Sequence, residues 1–268
     1  MNLGLKGKKA VVTGAGGAIG GSIARLLVAE GAKVAIWDIS PEQGQKAAAE
    51  IGKESALAVV CDVTDKESIV RAMALSVEFL GGLDILVNCA GGSRKSTTTS
   101  EELPFFDILP EDMRQVIDLN YLSAVMASQE AGRIFAGQGS GAILNISSIA
   151  GVIPVSRGIS YSNGKSAANS LTKWLAVHMA QNYSAKIRVN AVAPGFLLTE
   201  QNRFLLTDEA TGEPTERGRT VISQVPMARY GTPEEIAAAA VFLVSEQAGF
   251  VTGSILTVDG GLTSYMGV

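Results

Sequence analysis

Apolar runs alternate with amphipathic stretches along the chain. Seven apolar runs bounded by glycine, proline or polar residues predict β-strands, at 8–14, 33–40, 56–63, 83–92, 141–147, 186–195 and 253–261. Apolar residues at helical spacing predict helices between many of them, at 22–31, 67–81, 111–137, 161–180 and 233–245. Such alternation is typical of a parallel sheet covered by helices. We therefore predict an α/β fold, a Rossmann-like doubly wound parallel sheet of seven strands flanked by helices.

Two segments interrupt this rhythm. Residues 93–110 are polar at first and then aromatic, and Pro104 and Pro110 flank the aromatic part. The strand–helix pattern resumes directly afterwards, which indicates an inserted loop rather than a linker between domains. Residues 199–224 are polar and partly helical, and we interpret them as a substrate lid. The whole chain, 1–268, is therefore expected to form a single dinucleotide-binding catalytic domain.

Composition excludes several classes of function. The net charge is −4 and no Lys/Arg cluster stands out, which argues against nucleic acid as a partner. No apolar run reaches the roughly 18 residues that a membrane span needs. Cys61 and Cys89 lie in strand-like runs without a His/Cys cluster, which predicts packing residues, a reducing cytoplasm and no metal site.

A glycine-rich turn follows the first predicted strand and precedes a helix. Glycines let a backbone approach a pyrophosphate, and the helix N-terminus attracts its charge. The turn residues that we expect to meet the cofactor are Gly14, Gly16, Gly17, Ala18 and Ile19. Asp38, at the end of the second strand, can accept hydrogen bonds from both ribose hydroxyls and would repel a 2′-phosphate. This pattern predicts NAD rather than NADP as the cofactor.

The following strand ends add further candidates. Asp62 and Val63 are placed to meet an adenine edge, and Asn88, Ala90 and Gly91 line the next strand end. Ligands of an open parallel sheet bind at this edge. The alternative for residues 88–92 is a plain strand-to-loop turn.

Tyr161 and Lys165 stand four residues apart in a predicted helix, and therefore on one face. A neighbouring ammonium lowers the pKa of a phenol, which could then exchange a proton with a substrate oxygen. Ser148, thirteen residues upstream, could reach the same oxygen. Asn120 falls inside a predicted helix, where asparagine is unfavourable, so it has either a structural bond or a role. Taken alone, the Tyr161–Lys165 pair could also be an ordinary surface pair.

Together these motifs resemble the short-chain dehydrogenase/reductase family in its single-domain form. The segments that carry the resemblance are TGAGGAIG (13–20), Asp38, NCAGG (88–92), Asn120, Ser148, YSNGK (161–165) and PGFLLT (194–199). The chain departs from the family at Ala18, where glycine is usual and where a methyl group comes close to the phosphates.

The resemblance implies a role for each residue. Tyr161 would be the general acid/base, Lys165 would lower its pKa and hold the nicotinamide ribose, and Ser148 would bond the reacting oxygen. Asn120 would hold a water of a proton relay. Pro194, Gly195, Leu197 and Thr199 would meet the nicotinamide end of NAD. The family commonly forms homotetramers, which we expect through the helices at about 112–137 and 161–182 and through the C-terminal segment.

A narrower resemblance concerns the substrate. The FFDI, APGFLLTEQNRFLL and PMARYGTPEE stretches and the C-terminal VDGGLTSYMGV resemble the D-mannonate oxidoreductase (fructuronate reductase) subgroup. This implies a six-carbon sugar acid as substrate. Arginine pairs well with carboxylates, and the candidates to hold the substrate are Ser93, Arg94, Arg157, Gln201, Asn202 and Arg203. The alternatives are a reductase of another carbonyl (a gluconate-type keto acid or a 3-oxoacyl thioester) and a non-catalytic nucleotide sensor.

Overall fold

Seven parallel strands form one central sheet in the described part of the chain. The structure is a computed structural model, and it describes residues 2–199, 203–208 and 211–266. The strands are β1 Lys9–Thr13, β2 Lys33–Asp38, β3 Ala56–Val60, β4 Ile85–Asn88, β5 Gly141–Ile146, β6 Ile187–Pro194 and β7 Ile255–Val258. Their order in the sheet is β3-β2-β1-β4-β5-β6-β7. The predicted doubly wound parallel sheet is confirmed.

Helices cover both faces of this sheet. They are α1 Ala18–Ala29, α2 Pro41–Ile51, α3 Lys66–Leu80, α4 Pro110–Ile117, α5 Ser123–Gln138, α6 Ile159–Asn182, α7 Arg203–Leu206, α8 Glu216–Gln224 and α9 Pro233–Val244. On one face, Ile23 of α1 and Ile236 of α9 pack in a cluster with Val12 of β1. On the other face, Phe135 of α5 packs in a cluster with Val11 of β1.

Alternation along the strands explains why both faces need covering. Successive strand residues point to opposite faces, so Val11 and Val12 enter different clusters. All eight residues of β6 are buried. Strands that are apolar on both sides are stable only under two helical layers.

Two helical features differ from the sequence prediction. The helix α2 was not among the predicted helices, although Ser40 caps it by accepting the Gln43 N–H and Pro41 begins it. Gly44 and the polar residues of its first turns weaken the apolar pattern. The predicted helix at 111–137 is α4 and α5, joined by a π-helical turn at Asp118–Leu122. Such a turn adds a residue to the helix and is frequent at functional sites.

The two irregular segments contain short helical pieces. Residues 93–110 include 3₁₀ turns at Lys95–Thr97 and Phe105–Asp107. The segment 199–224 contains α7 and α8 among its described residues. No helix in the described part of the chain is long and apolar enough to cross a membrane. Because the strands are parallel, their carboxyl ends share one edge, and the loops at that edge build the candidate site.

Candidate active site

The glycine-rich turn between β1 and α1 brings backbone close to backbone. Gly14 has a φ of 62°, and a Cβ there would lie 2.8 Å from the Ala90 Cα. A Cβ at Gly20 would lie 2.6 Å from the Gly14 carbonyl oxygen. Gly17 precedes α1 and offers no side-chain cap, so the first N–H groups of the helix stay available to an anion. Ala18 is the first residue of α1 and is exposed, so its methyl group fits the turn without a clash inside the protein.

Asp38 lies beside this turn at the end of β2. Its Oδ2 accepts the Gly16 N–H at 2.9 Å, and its Oδ1 accepts the Ser40 N–H at 2.9 Å. A Cβ at Gly16 would lie 2.7 Å from Oδ2, so only glycine admits the carboxylate here. The side chain is partly exposed and keeps lone pairs for further donors. The turn and the carboxylate together fit the pyrophosphate and the adenosine ribose of NAD.

The end of β4 differs from the prediction in one respect. The Thr13 hydroxyl accepts the N–H groups of Cys89 and Ala90, both at 3.0 Å, and thereby ties this strand end to the glycine turn. Asn88, however, is buried, and its amide donates to Ser128 Oγ at 3.1 Å and Asn145 Oδ1 at 2.9 Å. Its side chain belongs to a polar network between β4 and β5 and does not line the site cavity described below.

Asp62 and Val63 lie just beyond β3. The Asp62 Oδ1 accepts the Thr64 N–H at 2.8 Å and the Thr64 hydroxyl at 2.7 Å, in a tight turn. Val63 is buried among the residues that cover one sheet face. The structure places both at the predicted edge, and their contact with adenine stays a prediction.

A cavity of about 780 Å³ opens at the carboxyl ends of β4, β5 and β6. It brings together three of the four predicted catalytic residues: Ser148, Tyr161 and Lys165. Ser148 follows β5, and its Oγ accepts the Ala150 N–H at 3.1 Å, which leaves the hydroxyl proton free to donate. Six of the predicted cofactor residues line the same cavity besides Tyr161 and Lys165, namely Ile19, Gly91, Pro194, Gly195, Leu197 and Thr199.

Lys165 is a buried cation. Its Nζ donates to the Ile146 carbonyl oxygen at 2.7 Å and lies 5.7 Å from the centre of the Tyr161 ring. A Cβ at Gly91 would lie 2.7 Å from Asn120 Oδ1 and 3.0 Å from Nζ, so a side chain here would displace these two polar groups. Burial lowers the pKa of Lys165 to about 8, against a smaller opposing effect of the Cys89 thiol. Lys165 can therefore exist both as the ammonium and as the neutral amine near physiological pH.

The pKa of Tyr161 moves opposite to the sequence prediction. Burial of the phenol raises its pKa, and the hydrogen bond with Ser148 lowers it by a smaller amount. The prediction assumed a dominant effect of Lys165. In the structure the loss of hydration on burial is the largest effect on the phenol, and the Lys165 ammonium donates to the Ile146 carbonyl.

Asn120 lies in the π-helical turn, behind the cavity. Its amide nitrogen donates to the Gly92 and Val116 carbonyls at 2.7 and 2.8 Å, and its Oδ1 accepts the Gly92 N–H at 3.1 Å. A Cβ at Gly164 of α6 would lie 2.9 Å from the Asn120 Cβ. The residue thus fixes the loop after β4 next to Lys165, and its water-holding role stays a prediction.

The predicted substrate residues separate into three groups. Arg157 lines the cavity. Ser93, Arg94 and Arg203 are exposed and do not line it, and the Arg94 guanidinium instead donates to Gln115 Oε1. Gln201 and Asn202 lie outside the described residues.

One wall of the cavity lies in the predicted lid at 199–224, but the sequence prediction named none of the α8 residues that form it. Helix α8 contributes Glu216, Arg217, Thr220 and Val221. Their spacing repeats every four residues and places them on one helix face, a signal that the sequence did carry. What the sequence lacked was the direction in which this face points.

No metal site accompanies these residues. Within residues 2–199, 203–208 and 211–266, no three His, Cys, Asp or Glu side chains form a group that could hold a metal ion.

Comparison with known proteins identifies the family. Residues 14–263 match the family model described as enoyl-(acyl carrier protein) reductase. An uncharacterized oxidoreductase of Bacillus subtilis named UxuB is 38% identical over 275 residues, covering 98% of both chains. Galactitol 2-dehydrogenase (L-tagatose-forming) of Cereibacter sphaeroides is 39% identical over 267 residues, covering 97% of both.

A solved structure agrees in fold and cofactor. A Haemophilus influenza protein, provisionally assigned as a D-mannonate oxidoreductase and solved with bound NAD, superposes with a TM-score of 0.92. It is 35% identical, and the match covers 100% of this chain and 99% of that one. The glycine turn and Asp38 of this chain fit the same cofactor. The chain belongs to the short-chain dehydrogenase/reductase family, as an NAD-dependent oxidoreductase.

Proposed function

We propose that this enzyme interconverts a keto sugar acid and its hydroxy acid, with D-fructuronate and D-mannonate as the pair. The observation that carries the proposal is the guanidinium of Arg157, which lines the same cavity as Ser148, Tyr161 and Lys165. Its side chain has no hydrogen-bond or ion-pair partner within the described part of the chain. A carboxylate is the natural partner of such a group.

The chain's own residues supply binding and proton transfer. Bound NADH supplies the hydride to the carbonyl carbon of the substrate. Tyr161 donates its phenolic proton to the carbonyl oxygen, which becomes the hydroxyl of the product. Ser148 donates a hydrogen bond to the same oxygen, since its own oxygen already accepts the Ala150 N–H. Lys165 stabilises the tyrosinate that remains and holds the nicotinamide ribose.

The raised pKa of Tyr161 suits the reductive direction. A phenol whose pKa lies above its ordinary value stays protonated at neutral pH and is ready to donate. In the oxidative direction the same group must first lose its proton, so oxidation is expected to need a higher pH than reduction.

The relatives support the substrate class in different degrees. The provisional assignment of the Haemophilus influenza structure favours a sugar acid. The Cereibacter sphaeroides relative acts on a neutral polyol, and the matched family model is named for an acyl carrier protein reductase. A gluconate-type keto acid and a 3-oxoacyl thioester remain the alternative substrates.

We place the enzyme in the cytoplasm as a homotetramer of single-domain chains, with 93–110 as an insertion loop and 199–224 as a substrate lid. Free cysteines at Cys61 and Cys89 support a reducing compartment. The cavity-lining residues of α8 support the lid. The exposed Trp174 and Val177 of α6 support assembly.

The test measures NADH oxidation by the purified protein with D-fructuronate, D-tagaturonate, 5-ketogluconate, acetoacetyl thioester and L-tagatose, with NADPH in parallel. We expect the largest kcat/KM with D-fructuronate and NADH. Greater activity on the thioester or on neutral L-tagatose would reject the sugar-acid assignment and retain the tyrosine chemistry.

A further inference from the structure

We infer that Arg217 of α8 and Arg157 form a two-arginine site that holds the carboxylate of the substrate from two sides of the cavity. This inference rests on the proposed function, because it names the contacts that would make the enzyme select an acid. Arg217 is the new residue in this site, on an element remote in sequence from Arg157.

Arg217 stands on the cavity-facing side of α8. Thr220 and Val221 line the cavity from the same helix, and Thr215 caps the helix by accepting the Gly218 N–H at 3.0 Å. Tyr230 fixes the helix further, since its hydroxyl donates to the Gly218 carbonyl at 3.2 Å. Within the described residues the Arg217 side chain has no hydrogen-bond or ion-pair partner. Arg217 is therefore an exposed cation on the wall of the cavity.

Arg157 is held by an unusual backbone. Its φ is 75°, in the left-handed region that a residue with a side chain rarely adopts. The Thr99 N–H donates to the Arg157 carbonyl at 2.9 Å, so the insertion loop supports this conformation. Strained backbone of this kind collects at ligand sites. A glycine would fit the turn better, and the guanidinium gives a reason for an arginine there.

The charge of the cavity favours an anion. Among the described residues, Arg157, Arg217 and Lys165 line it together with one carboxylate, Glu216. Glu216 is the immediate neighbour of Arg217 and lines the cavity as well, and the three cations outweigh its charge. The pyrophosphate of the cofactor has its own place at the glycine turn, which leaves these two arginines for the substrate.

The experiment compares Arg157→Gln and Arg217→Gln with Arg219→Gln as the matched control. Arg219 lies on the same helix, does not line the cavity, and donates to the Pro214 carbonyl at 2.6 Å. Each variant is assayed with NADH on D-fructuronate, on neutral D-fructose and on D-fructose 6-phosphate. NADH affinity is measured by fluorescence, and folding by thermal unfolding.

Each cavity variant is expected to lose about 10–100-fold in kcat/KM on D-fructuronate, the range for a lost charged hydrogen bond. Turnover of D-fructose and the Kd of NADH should stay within about two-fold, and the control should resemble the wild type. A loss confined to the phosphate ester would show a phosphate site, and weaker NADH binding would show a cofactor contact. Either result would overturn the inference.

A second variant separates fold from function at Arg157. Arg157→Gly removes the guanidinium and relieves the backbone, so we expect an equal or higher Tm together with the loss on D-fructuronate. If the wild type turns over no sugar acid, the proposed function fails. The two-arginine site is then judged by D-mannonate binding to the enzyme–NAD complex, and binding that Arg157→Gln and Arg217→Gln leave unchanged would reject it.

Discussion

At the scale of single residues, Tyr161 is the proposed general acid/base and has few other contacts through its hydroxyl. Within the described residues, the interaction with Ser148 is the one hydrogen bond of this hydroxyl. Tyr161→Phe should therefore lower kcat by about 10²–10⁴-fold, the usual share of a general acid/base, and leave the Kd of NADH unchanged. Stopped-flow turnover and fluorescence titration check the two parts separately. Near-normal turnover would mean that another group moves the proton.

Lys165 links the charge of the site to the stability of the fold. Its pKa falls from 10.5 to about 8 on folding, because burial disfavours the ammonium. This corresponds to a penalty of roughly 3 kcal/mol on the charged form. Between pH 8 and 10.5 the unfolded chain binds more protons than the folded one, so the free energy of unfolding should rise with pH there.

Lys165→Met tests this linkage. The variant keeps the side-chain volume, loses the buried charge and leaves the Ile146 carbonyl without its donor. We expect a free energy of unfolding within about 1–2 kcal/mol of the wild type at pH 7, with the Lys165-dependent rise above pH 8 removed. Urea unfolding from pH 7 to 10 measures it. If the free energy of unfolding of the variant still rises above pH 8 as in the wild type, groups other than Lys165 cause the rise.

Asp38 is the residue that we expect to set the choice between NAD and NADP. Its carboxylate is expected to face the adenosine ribose, where a 2′-phosphate would meet like charge. Asp38→Asn should raise the kcat/KM ratio of NADPH to NADH by about 10-fold or more, since 1.4 kcal/mol of relieved repulsion is one decade. The asparagine amide has a single oxygen, so in this geometry it can accept the Gly16 N–H or the Ser40 N–H but not both. A lower Tm is therefore expected as well, and an unchanged ratio would contradict the assignment.

At the scale of elements, Arg188 shows how one strand secures a helix end. It is 9% exposed, and its guanidinium donates to the carbonyls of Leu243 at 2.7 Å and Ser245 at 2.9 Å, at the end of α9. These carbonyls have no partner within the helix, and a cation there also meets the negative end of the helix dipole. Burial lowers the pKa of Arg188, yet the fork of donors keeps the charge satisfied.

Arg188→Lys should destabilise the protein by about 1–3 kcal/mol, because an ammonium cannot serve both carbonyls in the same geometry. The enzyme should keep its kcat, because Arg188 lies near the start of β6 and the cavity lies at the opposite end of this strand. Urea denaturation and an activity assay at 25 °C measure the two effects. Arg133→Lys is the control, because the Arg133 side chain is 72% exposed.

The elements also show what a sequence can and cannot predict. Strands and the glycine turn were predictable because their signals are local: apolar runs, turn residues and spacing. The direction of Asn88 was not, because it depends on the register that sets Asn88 beside Asn145 in the sheet. The α8 residues of the predicted lid were not identified for a similar reason, since a helix face shows which residues share a side but not what that side meets. The pKa of Tyr161 depends on burial, which spacing alone does not reveal.

At the scale of the whole molecule, the outer face of α6 is the feature that a single chain leaves unexplained. Ala176 and Met179 of this helix are buried, while Trp174 is 60% and Val177 is 56% exposed. A helix with apolar residues on two sides is typical of a buried position, so the outer side is expected to meet another copy of the chain. The tetramer proposed above supplies such a partner.

The assembly can be tested without disturbing the site. Light scattering on the wild type should give four chain masses. The double variant Trp174→Glu with Val177→Glu places two charges on the expected interface, where unpaired buried charge is unfavourable, and should shift the mass to a smaller species. Phe106→Glu is the control, because Phe106 is 90% exposed in the loop at 93–110, outside the two helices expected to assemble. A wild type that measures as a monomer, or a double variant that keeps the full mass, would show that this face has another purpose.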